Sequence, residues 1–286
     1  MKNILPNRRR FIQSAAFGII GITTSGSLHA LGTNSKKIIE DTDEPLFYRY
    51  PSMNDKMVSA VVGAAHSDLN KVKELVSNRP EMALATWDWG FGDWETAIGA
   101  ASHMGRRDIA ELLISYGARP DIFTMAMMGS YKAVQEMVES IPGVQSTPGP
   151  HGITLLQHAK NRLRVKDIPA EDQNNVNKVI TYLEGLGNAD VKPKSMEITE
   201  EEQKKYLGEY RFGEGKDEIF VVDLNMRKLL QIGRKGNFGR VMNKVDDNIF
   251  SPGGAPSVKI SFKLADNKAV SLTIHEPEPL VTAVRI

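Results

Sequence analysis

Of the 286 residues in this chain, none is cysteine. Disulfides, thiolate zinc sites and thiol nucleophiles are therefore excluded. Charge of either sign is not in excess: 36 Lys+Arg face 35 Asp+Glu, a formal net charge of +1. Composition thus gives no support to nucleic acid as a partner. Past the N-terminal region, no apolar run is long enough to span a bilayer. Motifs for chemistry are also missing. There is no HExxH spacing and no G-x-S-x-G elbow, and Gly213–Glu214–Gly215 lacks the strand-to-helix setting of a nucleotide loop. With no catalytic constellation in view, the chain reads as non-catalytic, with no cofactor and no metal assigned.

The first thirty residues form an address. Arg8–Arg9–Arg10–Phe11–Ile12 precede a modestly apolar stretch, Ser14 to Leu28, and then His29–Ala30. A charged start, a short apolar middle and small residues near a cut site are the layout of a signal peptide. Arg8, Arg9 and Phe11 resemble the twin-arginine export signal, and the Gly/Ser/Thr-rich middle suits that route. A Sec signal, a membrane anchor and a basic tail are the other readings. Cleavage after Ala30 takes four positive charges from a net +1 and leaves −3. The resemblance implies a bacterial protein exported already folded, most simply to the periplasm. Residues 31–53 are polar and aperiodic, a tether to the first domain.

The clearest segment is Trp94 to Asp121. Thr96 can cap a short apolar helix containing Ala97, Ile98, Ala100 and Ala101. Gly105 sits where the chain must reverse. Ile109, Ala110, Leu112, Leu113 and Ile114 give a second apolar face at helical spacing, closed by Gly117 and Pro120. The opening, the Ala-Ala pair, the central Gly, the aliphatic triplet and the Gly-Ala ending resemble one ankyrin repeat. Ala97, Gly99 and Ser102 depart from that pattern. Related segments begin near Asp55, Phe123 and Thr154, so that residues 54–190 read as about four repeats. Asp68 stands near the turn-glycine position of the first. It precedes Gly105 by 37 residues, against about 33 in the usual repeat. The excess falls in an aromatic loop holding Trp87, Trp89, Phe91 and Trp94. Such a loop offers a partner large contact area at small entropic cost; the bland reading is that its rings fold back and seal the junction, with Asp88 and Asp93 bonding the indole N–H groups or the loop backbone.

Residues 191–198 are a linker, after which the period changes. Thr199 to Glu202 reads as a capping box. Short apolar runs follow at Ile219–Val222, Leu229–Ile232, Val241 with Val245, Val258–Phe262, Val270–Ile274 and Val281–Val284, several of them alternating apolar with polar. Residues 199–286 are therefore expected to form an antiparallel sheet able to close into a small barrel. Tyr206, Gly208, Tyr210, Phe250 and Arg285 resemble the small lipocalin-like β domain of exported β-lactamase-like serine hydrolases, in which that domain is accessory. The fold class is α+β multidomain, an α-helical ankyrin-repeat solenoid followed by a small antiparallel β-barrel.

The functional expectation is an exported binding protein that presents its repeat surface to an unidentified protein or peptide. Small-ligand binding inside the β domain is one alternative, excluded if Phe220, Leu230, Phe250 and Phe262 fill the interior. An uncharacterised enzyme or enzyme accessory subunit is another. His66 and His103 recur 37 residues apart and can stack near one edge. A shared metal is conceivable there, and two solvated or turn-bonded histidines is the simpler reading. Arg106 and Arg107 read as solvated surface.

Overall fold

The computed structural model describes residues 53–286 apart from Pro193 and Phe238. The signal residues Arg8, Arg9 and Phe11 and nearly all of the tether lie outside the described residues. Residues 56–286 gather into one compact unit.

Helical hairpins make up its first half. α1 (Asp55–Ala64) turns into α2 (Leu69–Asn78), α3 (Ala97–His103) into α4 (Arg107–Ser115), α5 (Ile122–Met127) into α6 (Tyr131–Ser140), and α7 (Leu155–Arg162) into α8 (Ala170–Leu186). The caps follow the local chemistry. Thr96, Asp121 and Thr154 each accept from the backbone N–H three residues on. Gly117, at φ 100°, ends α4, with Gly117 N–H and Ala118 N–H returning to Ile114 and Leu113. α3 packs on α5 and α5 on α7, so the first helices of successive hairpins lie side by side. Their small residues permit this: Ala97, Ala100, Ala101 and Ala126 are fully buried.

The Gly105 turn is fitted to its neighbour. Gly105 has φ 71°, and a Cβ there would stand 2.7 Å from the Asn161 carbonyl oxygen. Arg162, whose guanidinium donates to the Gly105 carbonyl, also grips Asp172 through two nitrogens. Arg107 donates to the other oxygen of Asp172 and Arg106 to the Ser67 carbonyl. Both arginines therefore tie hairpins together, where a solvated surface was expected. Asp68 also differs from expectation. Its φ is −106° and its carboxylate accepts from Lys71 N–H, so it is the N-cap of α2 and no left-handed turn residue.

The aromatic loop is a short hairpin, β1 (Thr86–Asp88) against β2 (Trp94–Thr96). After α9 (Glu200–Gln203), eight antiparallel strands close a barrel: β3 (Gly208–Arg211), β4 (Ile219–Leu224), β5 (Leu230–Arg234), β6 (Arg240–Asp246), β7 (Ile249–Pro252), β8 (Lys259–Ala265), β9 (Lys268–His275) and β10 (Pro279–Arg285). Each pairs with the next, and β10 pairs with β3, so no edge remains. The expected antiparallel barrel is thus observed; β3 and β7, each only four residues long, were too short for alternation to reveal.

Tyr206, Tyr210, Phe250 and Phe262 fill the barrel interior, with ring centroids 4.9–5.9 Å apart. Leu230 is buried with them, whereas Phe220 lies partly exposed, stacked on Phe212. Gly208, at φ 152°, leaves room for the Arg285 guanidinium, which donates to the carbonyls of Leu207 and Ala269. Tyr210 donates its hydroxyl to the Tyr206 carbonyl at 2.6 Å, and burial pushes its pKa up to about 12. The five residues of the β-domain resemblance thus share one corner of the barrel core.

Candidate metal centre

Four side chains from distant parts of the helical half converge. His66 follows the end of α1, Glu95 lies in β2, His103 is the last residue of α3, and His151 sits in the turn Pro150–Gly152. One ligand atom from each falls within 4.8 Å of every other. Glu95 Oε1 is 2.9 Å from His103 Nε2 and 3.3 Å from His151 Nε2. Glu95 Oε2 is 3.4 Å from His66 Nε2. Two ligands of a tetrahedral zinc ion with bonds of about 2.0–2.1 Å stand about 3.3 Å apart. The 3.3 and 3.4 Å spacings to Glu95 match, and the 2.9 Å one is shorter.

The His66 tautomer suits ligation. His66 Nδ1 faces the carbonyls of Val62 and Gly63 at 3.1 and 3.2 Å. A carbonyl only accepts, so the proton sits on Nδ1 and Nε2 keeps its lone pair. Burial pulls His66 below the ordinary histidine pKa, which keeps it neutral. His151 Nδ1 lies 2.7 Å from Asp93 Oδ2, and the His151 backbone N–H donates to Asp93 Oδ1 at 2.9 Å. Burial raises the Asp93 carboxyl, but its bonds to His151 and the charge of Arg240 outweigh that and leave it below the usual range. Asp93, an ionised carboxylate, calls for a proton on Nδ1, whereas Arg240 Nη1, a donor 2.6 Å from the same atom, calls for a lone pair there. Either way Asp93 holds the ring in place, as outer-shell carboxylates orient metal-binding histidines.

The remaining polar groups complete the picture. Trp89 Nε1–H donates to Glu95 Oε2 at 2.7 Å. Burial pushes the Glu95 carboxyl up, and the imidazoles of His103 and His151 outweigh it, so the group stays ionised. Burial likewise pulls His151 down, and Asp93 and Glu95 together lift it above the ordinary value. Arg240, from β6 of the barrel, places Nη2 2.8 Å from Asp93 Oδ2. Its Nη1 lies 2.6 Å from His151 Nδ1. Gly254 of the barrel, at φ 85°, has no Cβ to collide with the Asp93 carboxylate. His151 itself has φ 61°, the strained left-handed region that non-glycine residues occupy mainly at turns and functional sites.

A hub of ordinary hydrogen bonds around Glu95 would also gather histidines. It does not account for two atoms. Glu95 Oε1 and His103 Nε2 are both buried and 2.9 Å apart, yet the contact lacks hydrogen-bond geometry. A buried orphan of this kind calls for an ion or water, and three imidazoles with one carboxylate are a donor set for a divalent first-row ion.

The structure thus joins His66 and His103 and adds Glu95 and His151, which the sequence reading had not linked to them. Of the aromatic residues, Trp89 bonds Glu95, Phe91 packs against the barrel core, Trp87 is half-buried in β1, and Trp94 is 62% exposed. Asp88 accepts from Gly90 N–H, as a loop-backbone role requires. Asp93 turns to His151 instead of an indole. The only legible trace of the centre was the recurrence of histidine in two successive hairpins; nothing local marks position 95 or 151.

Comparison with family models, curated proteins and solved structures returned no match. The class defined here rests on fold and site alone: an α+β chain of helical hairpins and a closed barrel, with a candidate three-histidine, one-carboxylate centre beside their junction.

Proposed function

We propose that this chain is an exported binding protein whose bound species includes one divalent transition-metal ion, zinc foremost, held by His66, Glu95, His103 and His151. The observation that carries the reading is the pair of buried, unbonded ligand atoms on Glu95 and His103. The stacked hairpins with glycine turns support an ankyrin-type scaffold for the site, and the paired arginines near the N-terminus support export. The test is metal analysis of the purified protein, followed by equilibrium dialysis against zinc after chelation. One zinc per chain is expected, falling to well below one in Glu95→Gln and His103→Ala. A folded protein that takes up no zinc, or variants that take up as much as the wild type, would sink the proposal.

A protein or peptide partner on the repeat surface is the second reading. It is favoured by Trp94, which stands 62% exposed in the β1–β2 hairpin while its neighbour Glu95 is buried. Crosslinking in the exported compartment should yield one specific adduct that Trp94→Ala abolishes; retention of the adduct in the variant removes this reading. A small ligand inside the barrel is disfavoured by the four rings that occupy the interior.

A further inference from the structure

We infer that the ion held by this centre keeps a coordination position open on the side between His66 and His151, and that this position exchanges water for a small anion such as azide or a carboxylate. The inference rests on the metal-binding reading and goes beyond it. Four protein ligands close a tetrahedral zinc site, so the open position is a fifth, of the kind zinc takes up in five-coordinate states.

The ring separations are unequal. His66 and His103 lie 4.9 Å apart between centroids, and His103 and His151 lie 5.1 Å apart. Imidazoles on neighbouring tetrahedral positions, with bonds of about 2.0–2.1 Å, have ring centres about 5 Å apart. His66 and His151 are 6.2 Å apart with nearly parallel planes, 19° between them. That is wider than neighbouring tetrahedral positions would set. The wider pair leaves room between its two rings that the closer pairs do not.

Exposure places the gap. The Glu95 and His103 side chains are 0% and 7% exposed, while those of His66 and His151 are 24% and 19% exposed. The wide pair is therefore the pair that water reaches. Trp89 stands edge-on to both rings, at 5.7 and 6.3 Å. Its one N–H is spent on Glu95, so it offers an incoming ligand only apolar surface.

Charge selects the anion. Arg240 lies 6.0 Å over the Trp89 ring. A groove of about 770 Å³ reaches the centre at His151 and Arg240, and is lined by Arg164, Lys194 and Arg227 against one carboxylate, Asp190. A positive potential of this kind raises the local concentration of anions.

The test uses the protein loaded with Co²⁺ in place of zinc and titrated with sodium azide, followed by visible d–d absorption. Cobalt bands that shift saturably, with one azide per cobalt, are expected; sodium acetate should compete. Cobalt bands that do not move up to saturating azide would overturn this inference and leave the metal centre standing. Failure to develop cobalt bands at all would overturn the centre and the open position together.

Discussion

Glu95→Gln separates a metal ligand from a mere hydrogen-bond hub. The change keeps shape and volume at a position whose side chain is fully buried, but replaces an anionic ligand with a weak neutral one. At zinc 100-fold above its Kd, binding to the native state contributes about 2.7 kcal/mol. For a unit of this size, 1 kcal/mol moves Tm by roughly 2–4 °C. Zinc should therefore raise the wild-type Tm by about 5–11 °C over the chelated protein. Suppose the variant binds about 100-fold more weakly. At the same zinc concentration the contribution falls to about 0.4 kcal/mol, and the rise to about 1–2 °C. Differential scanning fluorimetry with zinc and with EDTA measures both increments. Each is a difference within one protein, so any loss from the Trp89 hydrogen bond cancels. An equal zinc-induced rise in wild type and variant would refute the reasoning.

Other outcomes follow from the same contacts. Asp93→Asn removes the charge that orients His151 and pairs with the partly buried Arg240. Zinc affinity should fall about 10–100-fold, and the chelated protein should lose about 1–3 kcal/mol in urea titrations because Arg240 loses its nearest counter-ion, with Glu95 and Asp88 still close by; unchanged zinc affinity would count against the outer-shell role. His158 is wholly buried, donates through Nδ1 to the Thr154 carbonyl, and is pulled by burial down to about 4. Below pH 6.5 the unfolded chain takes up a proton that the folded chain refuses. Stability should therefore drop as pH falls, by about 3 kcal/mol in all by pH 4. In EDTA, His158→Gln should show a visibly smaller drop between pH 7 and 4.5, and an identical drop would show that this group is not responsible. Gly105→Ala adds left-handed strain and a Cβ 2.7 Å from a backbone oxygen. It should cost at least about 2 kcal/mol in chemical denaturation, and a neutral result would mean that the two hairpins pack less tightly than described.

What could be read from the chain in one dimension was everything set by neighbours. Thr96, Thr154 and Thr199 cap helices because a hydroxyl reaches an N–H three residues away, and each was legible as such or as the opening of a hairpin. Gly105 and Gly117 reverse or end helices because only glycine meets φ of 71° and 100° without strain. Strands of the barrel announced themselves by short apolar runs, several of them alternating, apart from the four-residue β3 and β7. Closure of the barrel and the burial of Tyr206, Tyr210 and Phe250 together were consistent with that pattern, although Phe220 turned out to face Phe212 at the periphery.

Only the tertiary structure assembled the centre. Its ligands stand at 66, 95, 103 and 151, on two hairpin ends, a strand and a turn. No i, i+4 relation or short loop joins them, so a sequence window never holds more than a fragment. Stacking of successive hairpins brings His66 and His103 to one edge. The aromatic hairpin then lowers Glu95 between them, and contacts with the barrel, through Arg240 and Gly254, fix Asp93 and so His151. Local chemistry determined the elements because capping, turning and alternation act over a few residues. The site required long-range packing, because a metal ligand set is defined by distance in space and is indifferent to separation along the chain.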